Sequence, residues 1–327
     1  MLFDFDLPSL EWRECRIPKP KKPGEYRKLS IPNDALKAVQ RDILQYLYTV
    51  QGLRPSCFAH GFVPRRNTST GVARHSKDAD VILCMDVKDF FDNFPLKPVK
   101  DRLVMSGIGE LLSAKIITAC SYKGSLPQGG PCSPFLTNAG MFEVDLMLSS
   151  FAKRHGFKYS RYADDITLSL DCAEAGKDKR KSYLFMFYGV DKLLSKTLGL
   201  RLNWKKNHTI WKNGREKRQV TGVVIRKDGL GYNAPRKLRR HVRAMACNLA
   251  RKLQNAGNMP EAEDFRVWAK LVGYVRYFDN LRSYSTGDAA SADPIIQECY
   301  WNYLASLFDY KGLGLEKEER RSNGQRE

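Results

Sequence analysis

The sequence predicts an α+β fold, because segments with hairpin periodicity and segments with helical periodicity occur in the same chain. Residues 157–170, FKYSRYADDITLSL, have the pattern strand, two-acid turn, strand, which indicates a β-hairpin. Residues 34–50 carry apolar side chains at helical spacing. Helices and an antiparallel hairpin around a shared core define the α+β class.

In the first half of the chain, the pattern predicts one capped helix and one buried strand. The helix covers residues 34–50, with Asn33 or Asp34 as its N-cap. Residues 81–91, VILCMDVKDFF, open with apolar and β-branched residues and therefore predict a buried strand that runs into a turn.

Residues 97–120 have a helical pattern, and a loop rich in Gly and Pro follows at 125–136, SLPQGGPCSPFL. Behind this loop, residues 137–156 predict one long helix that ends at Gly156.

After the hairpin, the sequence predicts a further helix at 181–199 that ends at Gly199. Residues 200–211 and 218–225 then predict short strands. Residues 235–310 are mostly helical in pattern, amphipathic, and basic on one side.

Composition excludes several classes of protein. The chain has 327 residues, of which 43% are hydrophobic, so it has enough apolar mass for roughly two domains with cores and is not a disordered tail. It contains no stretch of about 20 apolar residues, which argues against a transmembrane helix.

Lys and Arg total 55 against 36 Asp and Glu, a net charge of +19. This surplus indicates a polyanionic partner, with nucleic acid as the first candidate and an anionic membrane surface as the second.

Basic residues form clusters along the whole chain, and aromatic residues lie between them. This arrangement is typical of a basic groove with stacking platforms for nucleic acid, although any one cluster could equally be a solvated surface. The clusters lie at 19–22, 65–66, 177–181, 205–206, 212–218 and 236–243, and the aromatic residues are Tyr26, Trp204, Trp211 and Tyr232.

The cysteines and the N-terminus indicate a cytoplasmic protein. No CxxC pair exists among the eight cysteines, and the closest two are Cys120 and Cys132. This spacing argues against a zinc site and favours reduced thiols. The first residues, MLFDFDLPSLEWRE, include acids and no apolar segment, so we expect no secretory signal there.

Three aspartates stand where carboxylates are costly. Asp86 closes the predicted buried strand, and Asp164 and Asp165 form the tip of the predicted hairpin. Such acids need compensating charge near a core, and Mg²⁺ supplies it because it prefers oxygen ligands. Two ions held by the three aspartates would clamp the attacking and leaving oxygens of a phosphoryl displacement. The alternative is that all three are ordinary turn residues.

Several motifs occur in an order that resembles a bacterial reverse transcriptase, and most closely one of the retron type. Each motif is weak alone, but the series is specific. In chain order they are YRKLSIP, LKAVQRDIL, AHGFVPRR, MDVKDFF, LPQGGPCSP, RYADD, LNWKKNHT and VTGVVI, between about residues 26 and 225.

The resemblance implies a right-hand polymerase fold with fingers, an antiparallel-sheet palm and a helical thumb. Residues 1–80 would form the first part of the fingers. Residues 81–230 would form the palm, with a finger insertion around 97–135. Residues 231–327 would form the helical thumb and the C-terminal tail.

The resemblance also implies roles for individual residues. Asp86, Asp164 and Asp165 would be catalytic and would bind two Mg²⁺ ions, together with the backbone carbonyl of Val87. The residues implied to bind the nucleotide or the templating base are Phe91, Gln128, Gly129, Arg27, Arg65 and Lys206, with Lys206 near the leaving pyrophosphate. Those implied to bind nucleic acid are Val220, Thr221, Gly222, Arg236, Lys237, Arg239, Arg240 and Arg243.

Two side chains can also be assessed physically. The resemblance implies an aromatic ring beneath the sugar at the position five residues after Asp86, which is Phe91 here. Such a ring would collide with a ribose 2′-hydroxyl, so deoxynucleotides would be preferred; one of the pair Phe90 and Phe91 is expected to be a core residue instead. Retron enzymes commonly have Asn-Ala-x-x-His before the first catalytic motif. Here Gly71 and Val72 replace Asn-Ala while His75 is kept, and a lone His is more often structural than functional.

The function implied is RNA-directed DNA synthesis. A structured non-coding RNA would serve as template and primer, deoxynucleotides as substrates, and branched multicopy single-stranded DNA (msDNA), with its RNA–DNA hybrid, as product. A role in antiphage defence with a retron effector protein is implied by analogy. The alternatives are another bacterial reverse transcriptase, of the diversity-generating, abortive-infection or CRISPR-associated type, and a non-catalytic RNA-binding scaffold.

Overall fold

A computed structural model describes residues 11–18, 24–75, 78–171, 182–215, 217–226, 231–257, 259–284 and 304. The basic clusters predicted at 19–22 and 177–181, and the part of the predicted helical region beyond residue 284 other than 304, lie outside these described residues. The chain divides into two compact units, residues 1–217 and 218–327. The predicted boundaries of fingers, palm and thumb stay a prediction.

The N-terminal unit begins with a two-stranded antiparallel sheet of β1 (Trp12–Pro18) and β2 (Tyr26–Pro32). Helix α1 (Asp34–Thr49) follows, as the apolar spacing predicted. Its N-cap is Asn33, whose side-chain oxygen accepts a hydrogen bond from the backbone N–H of Leu36 at 2.8 Å. A 3₁₀ turn, Gln51–Leu53, and the short helix α2, Thr68–Val72, complete this part.

The buried strand predicted from residue 81 is β3 (Val81–Asp86). The helical region 97–120 is not one helix but two, α3 (Leu96–Met105) and α4 (Glu110–Cys120). The interruption contains Gly107, whose φ of 90° lies in the left-handed region that a helix cannot continue through.

The long helix predicted at 137–156 is also divided in two. Helix α5 (Ser133–Gly140) and helix α6 (Phe142–Arg154) are separated by Met141 alone. Met141 keeps right-handed backbone angles, with φ −81° and ψ −8°, so the chain direction is largely maintained.

The predicted hairpin is confirmed as strands β4 (Lys158–Tyr162) and β5 (Asp165–Leu170). One detail of the prediction is wrong: the turn consists of Ala163 and Asp164, and Asp165 is the first residue of β5 rather than part of the tip. The register explains this, because Tyr162 pairs with Asp165 and leaves a two-residue loop.

Helix α7 (Ser182–Leu198) follows as predicted. Of the segment 200–211, only β6 (His208–Trp211) is a strand. The preceding residues form a turn instead, because the carbonyl of Asn203 accepts hydrogen bonds from the backbone N–H groups of Lys206 (2.9 Å) and Asn207 (3.2 Å). The four strands form one antiparallel sheet in the order β4-β5-β3-β6.

This order places β3 and β5 side by side in the interior of the sheet, and their side chains are almost entirely buried. The core of the unit packs helices α1 and α3–α7 against this sheet. His75 is part of this interior: its ring nitrogens are hydrogen-bonded to the hydroxyls of Ser169 and Ser160, both at 2.7 Å. Burial lowers the pKa of His75 to about 3, so the ring is neutral and acts as a structural bridge within the sheet.

The C-terminal unit starts with a three-stranded sheet of β7 (Gln219–Val220), β8 (Val223–Ile225) and β9 (Tyr232–Asn233). Helices α8 (Arg236–Asn255) and α9 (Ala262–Ser283) follow, in agreement with the helical pattern from residue 235.

The described helices include none that combines the length and apolar character required to cross a bilayer. The cysteines at 15, 57, 84, 120, 132 and 247 are free thiols.

Candidate active site

A cleft of about 840 Å³ opens in the N-terminal unit where the edges of several elements meet. Strand β2, the end of β3, the β4–β5 turn, the Gly-rich loop before α5 and the turn before β6 all contribute to its wall. Nine of the ten residues with implied catalytic, metal-binding or nucleotide-binding roles lie together in this wall: Arg27, Asp86, Val87, Phe91, Gln128, Gly129, Asp164, Asp165 and Lys206.

The pairing of β3 with β5 brings the three aspartates together. Asp86, the last residue of β3, is the direct cross-strand partner of Asp165. The backbone N–H of Val87 donates to the carbonyl of Asp164 at 3.0 Å, which fixes the turn against the end of β3. The side chain of Val87 belongs to the core, so only its backbone can face the cleft. Asp86 is about 80 positions away from Asp164 and Asp165 in the sequence, yet all three lie at the same end of the sheet.

The three carboxylates repel one another in a partly buried place. Burial, and then the charges of Asp164 and Asp86, raise the pKa of Asp165 to about 7. Burial and the charge of Asp86 also raise the pKa of Asp164. The ionised site therefore has an excess of negative charge, which a bound cation would neutralise.

Lys206 is the cation that faces these acids. Its ammonium donates a hydrogen bond to Oδ2 of Asp86 at 2.8 Å. Burial acts to lower the pKa of Lys206, but the hydrogen bond to Asp86 and the three nearby carboxylates outweigh it and raise that pKa. Lys206 thus remains protonated and can donate a proton or a hydrogen bond to an anion in the cleft.

A buried ion pair supports the β4–β5 turn from below. Arg161 and Asp145 are 1% and 0% exposed, and both carboxylate oxygens of Asp145 accept from the guanidinium at 2.8 Å. Arg161 also donates to the carbonyl of Ala163 at 3.0 Å, and Tyr159 and Ser56 donate to Asp145 at 2.7 and 2.6 Å. Every oxygen of the carboxylate is thus satisfied. Removing one partner of such a pair typically costs about 3–5 kcal/mol.

This support matters because the turn is strained. Ala163 has a φ of 55°, a left-handed conformation that costs a non-glycine residue about 1–2 kcal/mol. The hydrogen bond from Arg161 to the Ala163 carbonyl helps to hold the strained residue, and with it the backbone of the neighbouring Asp164.

Gly61 closes the turn from a second side. A Cβ at Gly61 would lie 2.6 Å from the backbone nitrogen of Ala163, a distance that real Cβ atoms do not adopt. The carbonyl of Gly61 accepts from Nδ2 of Asn138 at 2.9 Å, so the glycine is held in place against the turn. Only glycine fits here without moving the backbone between Tyr162 and Asp164.

The Gly-rich loop is attached to β2. The backbone N–H of Ser30 donates to the carbonyl of Gln128 at 2.8 Å. Gly129 has a φ of 117°, and a Cβ on it would lie 2.7 Å from the Ser30 carbonyl oxygen. This position therefore requires glycine for its backbone angles and for the close approach. The loop presents Gln128 and Gly129 to the cleft beside Arg27.

The two adjacent phenylalanines occupy different environments. Both contribute to the wall of the cleft, but Phe90 is 2% exposed and belongs to the core, whereas Phe91 is partly exposed. The expectation that one member of the pair is a core residue is met by Phe90.

Arg65 is the one predicted nucleotide-binding residue that is not part of the cleft wall. It is exposed and has a φ of 62° in the loop before α2. Its neighbour Arg66 has a structural role, because it donates to the carbonyls of Ser56 and Ala59 at 2.6 and 2.7 Å.

The predicted nucleic-acid-binding residues all belong to the C-terminal unit. Val220 is buried, so its side chain contributes to the core of that unit. Thr221 and Gly222 form the two-residue turn between β7 and β8, with φ values of 43° and 87°. The basic residues lie on helix α8: Arg236, Lys237 and Arg240 are exposed, and Arg239 and Arg243 are half-buried.

Sequence reasoning did not single out Gly61, Phe62, Asp145 or Arg161. The charge of Asp145 inside an otherwise apolar stretch of α6 was the available signal for a buried ion pair. The importance of Gly61 depends on a contact with a residue about 100 positions away, and no local pattern reports such a contact.

Comparison with known proteins agrees with this geometry. Residues 17–225 match the family described as reverse transcriptase (RNA-dependent DNA polymerase). The chain is 34% identical over 253 residues to the retron Mx162 reverse transcriptase of Myxococcus xanthus, a match that covers 70% of this chain and 51% of that protein. It is 31% identical over 256 residues to the retron Ec86 reverse transcriptase of Escherichia coli, covering 77% of this chain and 73% of that protein.

Among solved structures, the chain is similar to a telomerase from Candida albicans in complex with a fragment of telomeric RNA. The TM-score is 0.48 at 12% identity, and the alignment covers 93% of this chain and 63% of the telomerase chain.

The chain belongs to the reverse transcriptase family and, within it, to the retron type. The predicted fold class, an α+β right-hand polymerase fold, is confirmed by this membership together with the observed helices and antiparallel sheets. The match spans about half the length of the Myxococcus relative.

Membership of this family implies dependence on a divalent metal. Within the described part of the chain, no three His, Cys, Asp or Glu side chains converge closely enough to hold an ion by themselves. The aspartates nevertheless fit such an ion, because burial and then the charges of neighbouring carboxylates raise the pKa of Asp165 and of Asp164, and a cation would offset both effects. An ion such as Mg²⁺ usually takes only one or two carboxylates and completes its shell with water and substrate phosphates.

The contact between Gly61 and the turn predicts that Gly61→Ala impairs catalysis. The added Cβ must push the Ala163 backbone and displace Asp164. For the polymerase activity proposed below, we therefore expect kcat of primer extension to fall by about 10- to 100-fold with little change in nucleic-acid affinity. Gly109→Ala is the matched control, since Gly109 has a φ of −57° and an added Cβ there would meet open space. Equal kcat values for the two variants would contradict this prediction.

The raised pKa of Asp165 predicts a pH-dependent response to Mg²⁺. Because the folded pKa of about 7 exceeds the ordinary value of 3.8, the group favours the folded metal-free protein at low pH, and this contribution is lost as pH rises towards 7. Mg²⁺ requires the ionised carboxylates and offsets their repulsion, so it should raise the melting temperature more at pH 8 than at pH 6.

The same measurement on Asp165→Asn should show no such difference between the two pH values. Asp42→Asn changes an exposed acid on α1 and should respond like the unmodified protein. An Mg²⁺ response of equal size at both pH values in the unmodified protein would show that Asp165 does not titrate in this range.

Proposed function

We propose that the chain is an RNA-directed DNA polymerase that copies a structured non-coding RNA into branched msDNA by two-metal-ion nucleotidyl transfer. The observation that carries this proposal is the meeting of Asp86, Asp164 and Asp165 with Lys206 in one cleft. Membership of the retron-type family supports a structured RNA as the template and msDNA as the product.

In the proposed reaction, a primer hydroxyl attacks the α-phosphate of a deoxynucleotide in line, and pyrophosphate leaves. Asp86, Asp164, Asp165 and the backbone carbonyl of Val87 would hold two Mg²⁺ ions, which would lower the pKa of the primer hydroxyl and neutralise charge on the leaving group. The β3–β5 pairing supports this proposal because it places Asp86 directly opposite Asp165 at one end of the sheet.

Lys206 and Arg27 would act on the triphosphate. Lys206 is hydrogen-bonded to Asp86 and kept protonated by the carboxylates around it. When substrate phosphates enter, the ammonium can exchange Asp86 for a phosphate oxygen and donate to the leaving pyrophosphate. Arg27 is exposed on β2 at the same cleft and would hold the triphosphate, and Arg65 would contact triphosphate or template from the adjoining loop.

The Gly-rich loop would contact the base pair being formed. Gln128 and Gly129 are held beside the cleft by the hydrogen bond between the Gln128 carbonyl and Ser30. Phe91 would lie beneath the sugar, where a ribose 2′-hydroxyl would collide with the ring. This ring is therefore proposed to select deoxynucleotides.

Residues of the C-terminal unit would bind the nucleic acid beyond the reacting end. The Thr221–Gly222 turn after Val220 exposes backbone to a primer end or a folded RNA. Five basic residues on α8 would follow the phosphates of a duplex, and they should affect affinity more than sequence preference. These residues are Arg236, Lys237, Arg239, Arg240 and Arg243.

The proposed partners are the non-coding RNA as template and primer, deoxynucleotides, the DNA product with its RNA–DNA hybrid, and a retron effector protein in antiphage defence. The cytoplasmic location expected from the cysteines belongs to the same proposal.

The metal-binding role of the acids predicts that Asp164→Asn combined with Asp165→Asn abolishes primer extension while RNA binding is retained. Extension of a labelled primer and RNA affinity are measured on the same preparation. Asp42→Asn, on the exposed side of α1, should extend normally. Turnover near the unmodified rate in the double variant would refute the role of the two carboxylates.

The proposed role of Phe91 predicts that Phe91→Ala increases ribonucleotide incorporation. Removal of the ring leaves room for the 2′-hydroxyl, so the ratio of kcat/KM for a deoxynucleotide to that for the matching ribonucleotide should fall. Single-nucleotide extension opposite a fixed template base measures this ratio. An unchanged ratio would mean that Phe91 does not contact the sugar.

A further inference from the structure

We propose that Phe62 is a positioning residue that holds the ring of Phe91 and thereby sets how strictly the cleft selects deoxynucleotides. The inference rests on the proposed role of Phe91 as the ring beneath the sugar, and it adds a second residue on which sugar selection depends.

Phe62 stands in the wall of the cleft with its ring open to solvent. The residue is 53% exposed although it is a phenylalanine, and it lines the same cleft as Phe91 and Tyr162. Its ring centroid is 6.4 Å from that of Phe91 at an interplanar angle of 71°, and 6.5 Å from that of Tyr162 at 37°. The ring is therefore a neighbour both of Phe91, which is proposed to lie beneath the sugar, and of Tyr162 at the end of β4.

A row of edge-to-face rings leads from the core to Phe62. Phe94 and Phe90 are 5.3 Å apart at 79°, and Phe90 and Phe91 are 5.4 Å apart at 73°. Phe90 is almost fully buried, so it supports Phe91 from the core side. Phe62 makes the next contact in the row and supports Phe91 from the cleft side. Edge-to-face contacts of this kind fix the orientation of a ring as well as its position.

The backbone of Phe62 is held in a conformation that a bulky residue rarely adopts. Its φ is 57°, in the left-handed region, which is a genuine outlier for an aromatic side chain. The preceding Gly61 explains why this conformation persists. Gly61 packs against the backbone of Ala163, and its carbonyl accepts from Asn138, so the backbone next to Phe62 is held by two contacts.

These contacts have a consequence for selectivity. A ring excludes a 2′-hydroxyl only if it cannot tilt away when the hydroxyl arrives. Phe90 restrains Phe91 from one side, and Phe62 restrains it from the other. Without Phe62 the Phe91 ring gains room towards the cleft, and a ribonucleotide can be accommodated while deoxynucleotide use is little changed.

Phe62→Gly is the sharpest test, because glycine adopts a left-handed φ without strain. The variant removes the ring and relieves the backbone, so its melting temperature should equal or exceed that of the unmodified protein. The ratio of kcat/KM for deoxynucleotide over ribonucleotide should fall roughly three- to ten-fold, as expected from the loss of one aromatic edge contact. Phe62→Tyr keeps the ring and should keep the ratio.

A double variant tests whether Phe62 acts through Phe91. If it does, Phe62→Gly combined with Phe91→Ala should have the same ratio as Phe91→Ala alone. Tyr48→Ala is the matched control: Tyr48 is 50% exposed and makes an edge contact with Phe135 at 5.0 Å, outside the cleft wall. This control should leave the ratio unchanged.

Three results would overturn the inference. An unchanged ratio in Phe62→Gly shows that Phe91 needs no support from this side. An equal loss of kcat/KM for both nucleotides, additive with Phe91→Ala, shows that Phe62 instead stacks directly on the nucleic-acid strand. A lower ratio in Phe62→Gly beside an unchanged ratio in Phe91→Ala shows that Phe62 acts without Phe91, and it also refutes the proposed role of Phe91. If only the ratio in Phe62→Gly is unchanged, while Phe91→Ala lowers it, the proposed role of Phe91 remains intact.

Discussion

The structure of the N-terminal unit depends on keeping three like charges together at one end of a buried sheet. Asp86 and Asp165 face each other across β3 and β5, and Asp164 stands in the adjoining turn. Their repulsion and partial burial oppose this arrangement, as the raised pKa of Asp165 shows. The charge of Lys206 compensates only in part, which leaves a place where a divalent ion and substrate phosphates complete the balance.

The surrounding structure keeps this unfavourable arrangement in place. The Arg161–Asp145 pair anchors the strained turn from below, and Gly61 closes it from a second side. None of these three residues lines the cleft. A row of edge-to-face aromatic rings leads from the core to Phe62 in the cleft wall. The chemistry proposed for the acids therefore rests on buried polar and aromatic contacts that could be mistaken for ordinary packing.

Sequence reasoning identified nine of the residues that line the cleft, because these residues sit in short motifs at strand ends and turns. It was less accurate about helix continuity. Met141 divides a region predicted to be one long helix, and a segment containing Gly107 interrupts the region 97–120, which has a helical pattern throughout. It also placed Asp165 in the turn, although the cross-strand pairing of Tyr162 with Asp165 makes it a strand residue. Register of this kind is decided by both strands together and cannot be read from one of them.

By itself the sequence determined the class of the fold, the family, and which acids and aromatic residues are candidates for chemistry, because periodicity and motif order are local properties of the chain. Only the tertiary structure decided that Phe90 is a core residue while Phe91 is partly exposed, that Arg161 and Asp145 form the buried pair, and that Gly61 must be glycine. These facts depend on contacts between residues far apart in sequence. Burial and close approach arise only when those segments pack together.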